Sequence, residues 1–305
     1  MRSVALALTA IAAIQAAPAA TTVDDGRNLF DWSALAPVVV AGTCLGEDGR
    51  YFEFRIAQCL RGDAQPADVL NIDVREANRT RDRMLHPKPL RLDAGIDYVL
   101  LLERTGAAGR DRYRLVRGVT GARELPLEGR EAYLEALREF IVIQDSGSEE
   151  LKWQRLGGLL GGSNPILIQT SLEQFLKFRR GDAELLLTLL PLLDHPQPPL
   201  RAESAQLIGQ IVERQRERGT LEDDEAVRAE LIARATRDAS VPVRVAATEA
   251  LAAFPLELVD QVLVEIAETD PEQQVRYTAQ LVRLARRRET GGKGQPATVP
   301  PPPVD

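Results

Sequence analysis

The sequence predicts a multidomain α+β protein: a small antiparallel β-barrel with a helix after it, then an all-α array of stacked helix pairs. Three observations carry this reading. Apolar residues recur with period two over residues 37–119 and with period 3.6 from about Glu149 onward. The stretch "DASVPVRVAATEALAAF" (238–254) is echoed 32 residues later by "DPEQQVRYTAQLVRLAR". The chain has 305 residues, more than one core of ordinary size holds. The expected divisions are 1–19 (a leader), 33–143 (barrel), 149–288 (helical array) and 289–305 (tail).

The leader reads "MRSVALALTAIAAIQAAPAA". Arg2 supplies the charge, residues 4–14 an apolar run, and Ala17-Pro18-Ala19 the small-residue site of a secretory signal peptide, with cleavage expected after Ala19. A membrane anchor is the competing reading, but the run is short for roughly 30 Å of hydrocarbon and no stop-transfer pattern follows. An exported, soluble protein is expected, periplasmic or secreted. Its formal charge of -7 argues against a nucleic-acid partner, which would ask for a basic face. An apolar share of 44% with 27% charged residues excludes global disorder.

The barrel strands follow in order. "PVVVAGTC" (37–44) is apolar and β-branched. "RYFEFRIAQCL" (50–60) sets Phe52, Phe54 and Ile56 against Glu53 and Arg55. "DVLNIDVR" (68–75) alternates Leu70, Ile72 and Val74 with Asn71 and Asp73. "IDYVLLLER" (96–104) is nearly continuous and reads as a central strand; "DRYRLVRGV" (111–119) alternates again. "GREAYLEALREFI" (129–141) then puts Tyr133, Leu134, Leu137, Phe140 and Ile141 on one helical stripe. The chain holds two cysteines, Cys44 and Cys59. With "GEDG" (46–49) as the turn of the first hairpin, Cys44 falls opposite the region of Tyr51 and Cys59 near Pro37, their sulfurs roughly 25 Å apart. Two buried, unbridged thiols are expected; only a bend or bulge would bring them together.

The run "VVVAGTCLG", the return ending in "CLRG" and the Gly95-led "LRLDAGIDYVLLLE" resemble the five-stranded OB-type barrel of netrin-like domains, over residues 33–143. Tissue inhibitors of metalloproteinases share that barrel and grip a metal with an N-terminal cysteine. Nothing here corresponds, so inhibition is not implied. The segment 75–91 holds Arg75, Arg79, Arg81, Arg83, Lys88 and Arg91 against Glu76 and Asp82, a local +4. A solvated loop or edge is the plain reading; an anion-binding face for an acidic polymer is the sharper one. "NRT" at Asn78 matches a glycosylation acceptor, relevant only in a eukaryotic secretory host.

In the array, "VPVRVAATEAL" aligns with "QQVRYTAQLVR" and with "PPLRAESAQLI" 43 residues upstream. Each copy follows another amphipathic helix: "DAELLLTLLPLL", "DDEAVRAELIARAT" and "PLELVDQVLVEIA". One helix pair cannot bury its apolar stripe alone, and stacked copies bury it together. Residues 151–178 are expected to form a degenerate first pair that caps the array against the barrel. The motif resembles HEAT repeats, the short bacterial kind. The resemblance implies a solenoid in which Asp194, Asp238 and Asp270, with Arg201, Arg244 and Arg276, stabilise the stacking of successive repeats. The tail "ETGGKGQPATVPPPPVD" has the composition of a disordered or polyproline-like segment.

No catalytic centre is legible. His86 and His195 lack any metal-ligand spacing. "GGLLGGS" (157–163) has phosphate-loop glycines without the lysine and is expected to be a loop between helices. Asp223-Asp224 open a helix, where acids suit the dipole. The expectation is therefore no catalytic, cofactor or metal site. The protein is read as a non-enzymatic scaffold that holds a protein partner on the concave face or helix ridge of its solenoid. The alternatives are an acidic-polymer binder through residues 75–91 and an unrecognised hydrolase at the domain junction.

Overall fold

The computed structural model describes residues 27–48, 51–73, 92–105, 112–116, 118–220 and 225–289. The leader, the basic segment and the tail lie outside these. The chain divides into two compact units, 1–141 and 142–305.

The first unit opens with a short helix, α1 (Leu29–Ser33), capped by the side chain of Asn28. Six strands follow among the described residues: β1 (Val38–Asp48), β2 (Tyr51–Arg61), β3 (Val69–Asp73), β4 (Asp97–Arg104), β5 (Arg112–Leu115) and β6 (Ala122–Glu124). Their order β1-β2-β3-β5-β4 closes through a β1–β4 pairing into a five-stranded barrel, with β6 extending the β5 side of β4. Every junction is antiparallel except β3–β5, which is parallel. Closure leaves no free edge among the five. The arrangement is consistent with an OB-like barrel.

The period-two pattern has its physical cause here. Phe52, Phe54, Ile56, Leu70, Ile72, Tyr113 and Leu115 point into one core with Val38, Val40, Leu100 and Leu102. β1 and β4 are also buried on their other face through Val39, Ala41, Val99 and Leu101. Hence their continuous apolar runs. Gly42 is required: a Cβ there would stand 2.0 Å from the carbonyl oxygen of Arg55, at a register shift that bends β1 around the barrel. Helix α2 (Arg130–Gln144) is tied to the barrel by Arg138 to Gln58 and by Arg130 to Asp97. Phe140 meets Phe30 edge-on, and buried Trp32 donates to Thr120 O at 2.7 Å.

The first hairpin differs from expectation. β1 runs on through Asp48, which pairs with Tyr51, so Gly46, Glu47 and Asp48 of the expected turn belong to the strand. With the shift at Cys44/Gly46 this places Cys44 opposite Phe54, not Tyr51, and Cys59 opposite Val40. Both thiols are free, Cys44 buried and Cys59 half-buried. Burial pushes both thiols up from their ordinary value.

The second unit is helical. Its pairs are α3 (Glu149–Leu159) with α4 (Pro165–Phe178); α5 (Ala183–Leu189), continued as a 3-10 turn (Leu190–Asp194), with α6 (Pro198–Glu217); α7 (Glu225–Arg237) with α8 (Val241–Ala250); and α9 (Leu256–Thr269) with α10 (Gln273–Glu289). The second helices pack in sequence, α4 on α6, α6 on α8, α8 on α10. Proline stands at the start of α4, α6 and α8, where its missing N–H costs nothing. Two expectations are corrected. "GGLLGGS" is not all loop: α3 runs through Gly157 and Gly158 to Leu159. "DAELLLTLLPLL" is not one α-helix; it tightens to 3-10 geometry from Leu190, next to Pro191, which cannot donate the helical bond.

Candidate functional site

The array carries a ladder of charge along its inter-helix turns. Each of three arginines sits in the first turn of a second helix and turns one nitrogen back onto the preceding loop. Arg201 Nη1 donates to His195 O at 2.8 Å, Arg244 Nη1 to Asp238 O at 2.9 Å, and Arg276 Nη1 to Asp270 O at 2.6 Å. The other edge of the fork reaches the next pair. Arg201 binds Asp238 through Nε and Nη2, both at 2.8 Å; Arg244 binds Asp270 at 2.9 and 3.2 Å. Such two-pronged pairs fix geometry as well as charge. Each acid also accepts an N–H two residues on, from Ser240 and Glu272, which shapes the turn.

The remaining two positions stand apart. Asp194 takes Arg234 of α7 at 2.5 Å, with its side chain 69% exposed. Ile168 occupies the place in α4 that arginine holds in the later second helices, so Asp194 has no equivalent of Arg201 upstream. Arg276 adds only Pro271 O at 2.8 Å, and its Nε–Nη2 edge meets no carboxylate among the described residues. Burial alone would raise the Asp238 carboxyl. The Arg201 hydrogen bonds, the Ser240 N–H and the charges of Arg201 and Arg234 outweigh it and hold the group below the usual range.

The outward side of the second helices is polar and acidic near the middle of the array. Gln169 and Glu173 on α4, Glu203, Gln206, Gln210 and Glu213 on α6, and Glu249 on α8 face this side. Glu203 is pushed up to about 7, first by burial and then by the charge of Glu173. Its Oε2 and the Oε1 of Gln210 are buried with no hydrogen-bond partner among the described residues. Two acceptors without donors are costly when buried and ask for one from outside. A groove of about 260 Å³ between α6 and α8 is lined by Gln206, Gln210, Glu213 and Glu249 of this strip, with Gly209 at its floor, where a Cβ would meet the Ala250 backbone at 2.8 Å. Farther along α10 the same side turns apolar with half-buried Tyr277 and with Leu281, 41% exposed.

A second, wider groove of about 800 Å³ lies at the start of the array, lined by Trp153, Gly157, Gly161, Phe175, Arg180 and Arg218 among others. Trp153 packs against Phe175 and Phe178 and is covered by the Arg180 guanidinium at 5.4 Å. Arg214, also on the groove, is committed to the carbonyls of Arg179, Arg180 and Gly181 at the end of α4. Sequence reasoning missed both grooves and the Glu203–Gln210 strip. Helical period identified their helices, but only the stacking brings acids of α4, α6 and α8 side by side.

The anion-site candidates Arg75, Arg79, Arg81, Arg83, Lys88 and Arg91, and His86 among them, lie outside the described residues. His195 sits in its turn with Nδ1 accepting the Gln197 N–H at 3.1 Å. Burial first, then the Arg201 charge, lowers its pKa. Among the described residues no cluster of three or more His, Cys, Asp or Glu is placed to hold a metal ion. No helix there is long and apolar enough to cross a membrane.

Comparison with curated proteins returned no match. Residues 186–282, from within α5 to α10, match the family model of HEAT repeats.

Proposed function

We propose that this is an exported, non-enzymatic scaffold whose helical array holds a protein partner on the outward side of its second helices. One observation carries the reading: a continuous second-helix surface whose buried acceptors, Glu203 Oε2 and Gln210 Oε1, lack donors within the described residues. A partner that brings lysine, arginine or backbone N–H groups satisfies them. The acids that flank them, Glu173, Glu213 and Glu249, favour a basic contact. The ladder of Arg201–Asp238 and Arg244–Asp270 is proposed to keep successive pairs in register, so that this surface is presented as one rigid face. Burial without reactive geometry also supports a role short of catalysis.

The test is charge reversal on the surface. Glu203→Lys with Glu249→Lys should abolish capture of the partner from an extract of the native cell envelope, while Glu265→Lys on α9 leaves capture intact. Equal capture by both variants overturns the surface. Export is tested separately by N-terminal sequencing. A chain starting near Ala20 is expected, and Met1 intact on protein recovered outside the cytoplasm overturns it.

A further inference from the structure

The wide groove at the start of the array is opposite in character to the acidic strip of the second helices. Trp153, Gly157 and Gly158 of α3 line it on one side, and Leu185 of α5 on the other. Around the turn from α4 to α5 four arginines gather. Arg214 is committed to that turn, donating to the carbonyls of Arg179, Arg180 and Gly181, the last two at 2.9 and 3.0 Å. Arg179 pairs with Glu213 at 3.2 Å. Arg180 and Arg218 are exposed and meet no carboxylate among the described residues. Their repulsion is felt at Arg214, whose pKa is lowered first by burial and then by the charges of Arg218 and Arg179; Asp182 opposes this and Arg180 adds to it. The groove also has acids, Glu150, Asp182 and Glu184. Asp182 is engaged as the cap of α5, accepting the Leu185 N–H at 3.2 Å, and the two glutamates stand in the first turns of α3 and α5, where the helix dipole favours them.

We propose that this groove takes an acidic segment of a protein partner, its carboxylates on Arg180 and Arg218 and an apolar side chain between Trp153 and Leu185. A carboxylate placed there relieves the crowding of like charge, and the planar arginine fork suits it. Arg180 is already aimed across the groove, its guanidinium 5.4 Å from the centre of the Trp153 ring. The indole is half-buried and fixed by its N–H to Glu149 Oε1 at 2.8 Å, so it offers a rigid apolar surface beside the charges. Tryptophan with arginine is the pairing that carries most energy in protein interfaces. The wall of α3 leaves room for a chain. A Cβ at Gly158 would meet nothing within 4 Å, so the packing of the array makes no use of that bare backbone, although glycine inside a helix weakens it. The volume of about 800 Å³ suits a short segment, not a folded surface. A uniform polyanion fits less well: it would meet Glu150 and Glu184 and leave the apolar wall unused. This site shares none of Glu203, Gln210 and Glu249 with the acidic strip and does not rest on the strip's role.

The probe is a fluorescein-labelled peptide that alternates aspartate with leucine, titrated into the full chain and followed by fluorescence anisotropy. Saturable binding that weakens with added salt is expected. It should shift the tryptophan emission, and the shift should vanish in Trp153→Phe. Arg180→Ser with Arg218→Ser should weaken binding by roughly tenfold or more. Gly158→Gln should weaken it comparably by filling the groove, without lowering Tm, because the new side chain meets no neighbour and glutamine favours the helix. Glu203→Gln with Glu249→Gln, on the acidic strip, should leave it unchanged. Helical circular dichroism confirms that each variant is folded. No saturable binding, or equal affinity in the arginine and Gly158→Gln variants, overturns the proposal. So does equal binding of a peptide with serine for leucine, or of inorganic polyphosphate, which would make the groove a general anion surface.

Discussion

Replacing Arg244 with methionine removes one guanidinium from the middle of the ladder and keeps most of the side-chain volume. The side chains of Arg244 and Asp270 are 9% and 5% exposed. The substitution deletes both bonds to Asp270, at 2.9 and 3.2 Å, and the bond to Asp238 O at 2.9 Å. Asp270 keeps only the Glu272 N–H at 2.8 Å. Breaking a buried pair from one side costs about 3–5 kcal/mol, because the remaining charge is left without its partner. Because that backbone contact remains, the lower end, about 3 kcal/mol, is expected. For a unit of this size that is a fall in Tm of about 6–12 °C. Urea and thermal unfolding followed by helical circular dichroism measure it. The companion substitution Asp270→Asn, made on the Arg244→Met background, should recover at least half of the loss, since a neutral amide needs no counter-charge. A coupling of about 1–3 kcal/mol in the double-mutant cycle is therefore expected. A loss under about 1 kcal/mol for Arg244→Met, or strictly additive effects, would refute the reasoning and reduce the rung to an ordinary surface pair.

Other expectations follow from the same geometry. Because the Asp238 carboxyl is held below its ordinary value, the Arg201–Asp238 rung should contribute fully above about pH 4 and lose its contribution as pH falls through the folded value, so Arg201→Met should cost least in acid. Glu203 runs the other way: its folded value near 7 lies above the unfolded one, so stability should fall as pH rises from about 4.5 to about 7. That gap would convert to about 3 kcal/mol, cut by partial exposure to about 1–2, so Glu203→Gln should stabilise by that amount at pH 8 and by almost nothing at pH 4.5 in matched urea titrations. Val243 is fully buried and Glu249 exposed on the same helix; Val243→Asp should cost several kcal/mol and Glu249→Ala less than about 0.5, read as a difference in Tm. Gly42→Val should prevent barrel closure, because its Cβ has no room beside Arg55 O, with near-ultraviolet dichroism of Trp32 as the readout.

The legible parts of the fold were those where one period ran long enough to be unambiguous. Phe52, Phe54 and Ile56 alternate cleanly, and β2 lies where they place it. The 32-residue echo of Asp238 and Arg244 in Asp270 and Arg276 marked the turns that the ladder occupies. What escaped were features shorter than a period. α1 spans five residues and β6 three, too few for any pattern to show. The extent of β1 escaped because Glu47 and Asp48 look like turn residues, yet both pair with β2, Glu47 with Phe52 and Asp48 with Tyr51. The parallel β3–β5 contact depends on the order in which strands meet, which no single strand encodes. On the surface, Glu203 reads as one more solvated acid of α6. Only the neighbouring α4, with Glu173, turns it into a half-buried, strained carboxyl.

The most direct measurement of the central claim places a photo-crosslinking amino acid at Gln206, on the outward side of α6, and in a separate variant at Gln261, on exposed α9. Both are introduced into the full chain in the native envelope. The account predicts one saturable protein adduct from position 206, competed away by unmodified protein, and none from 261. Equal labelling at both positions, or no protein adduct from 206 at any concentration, would contradict it.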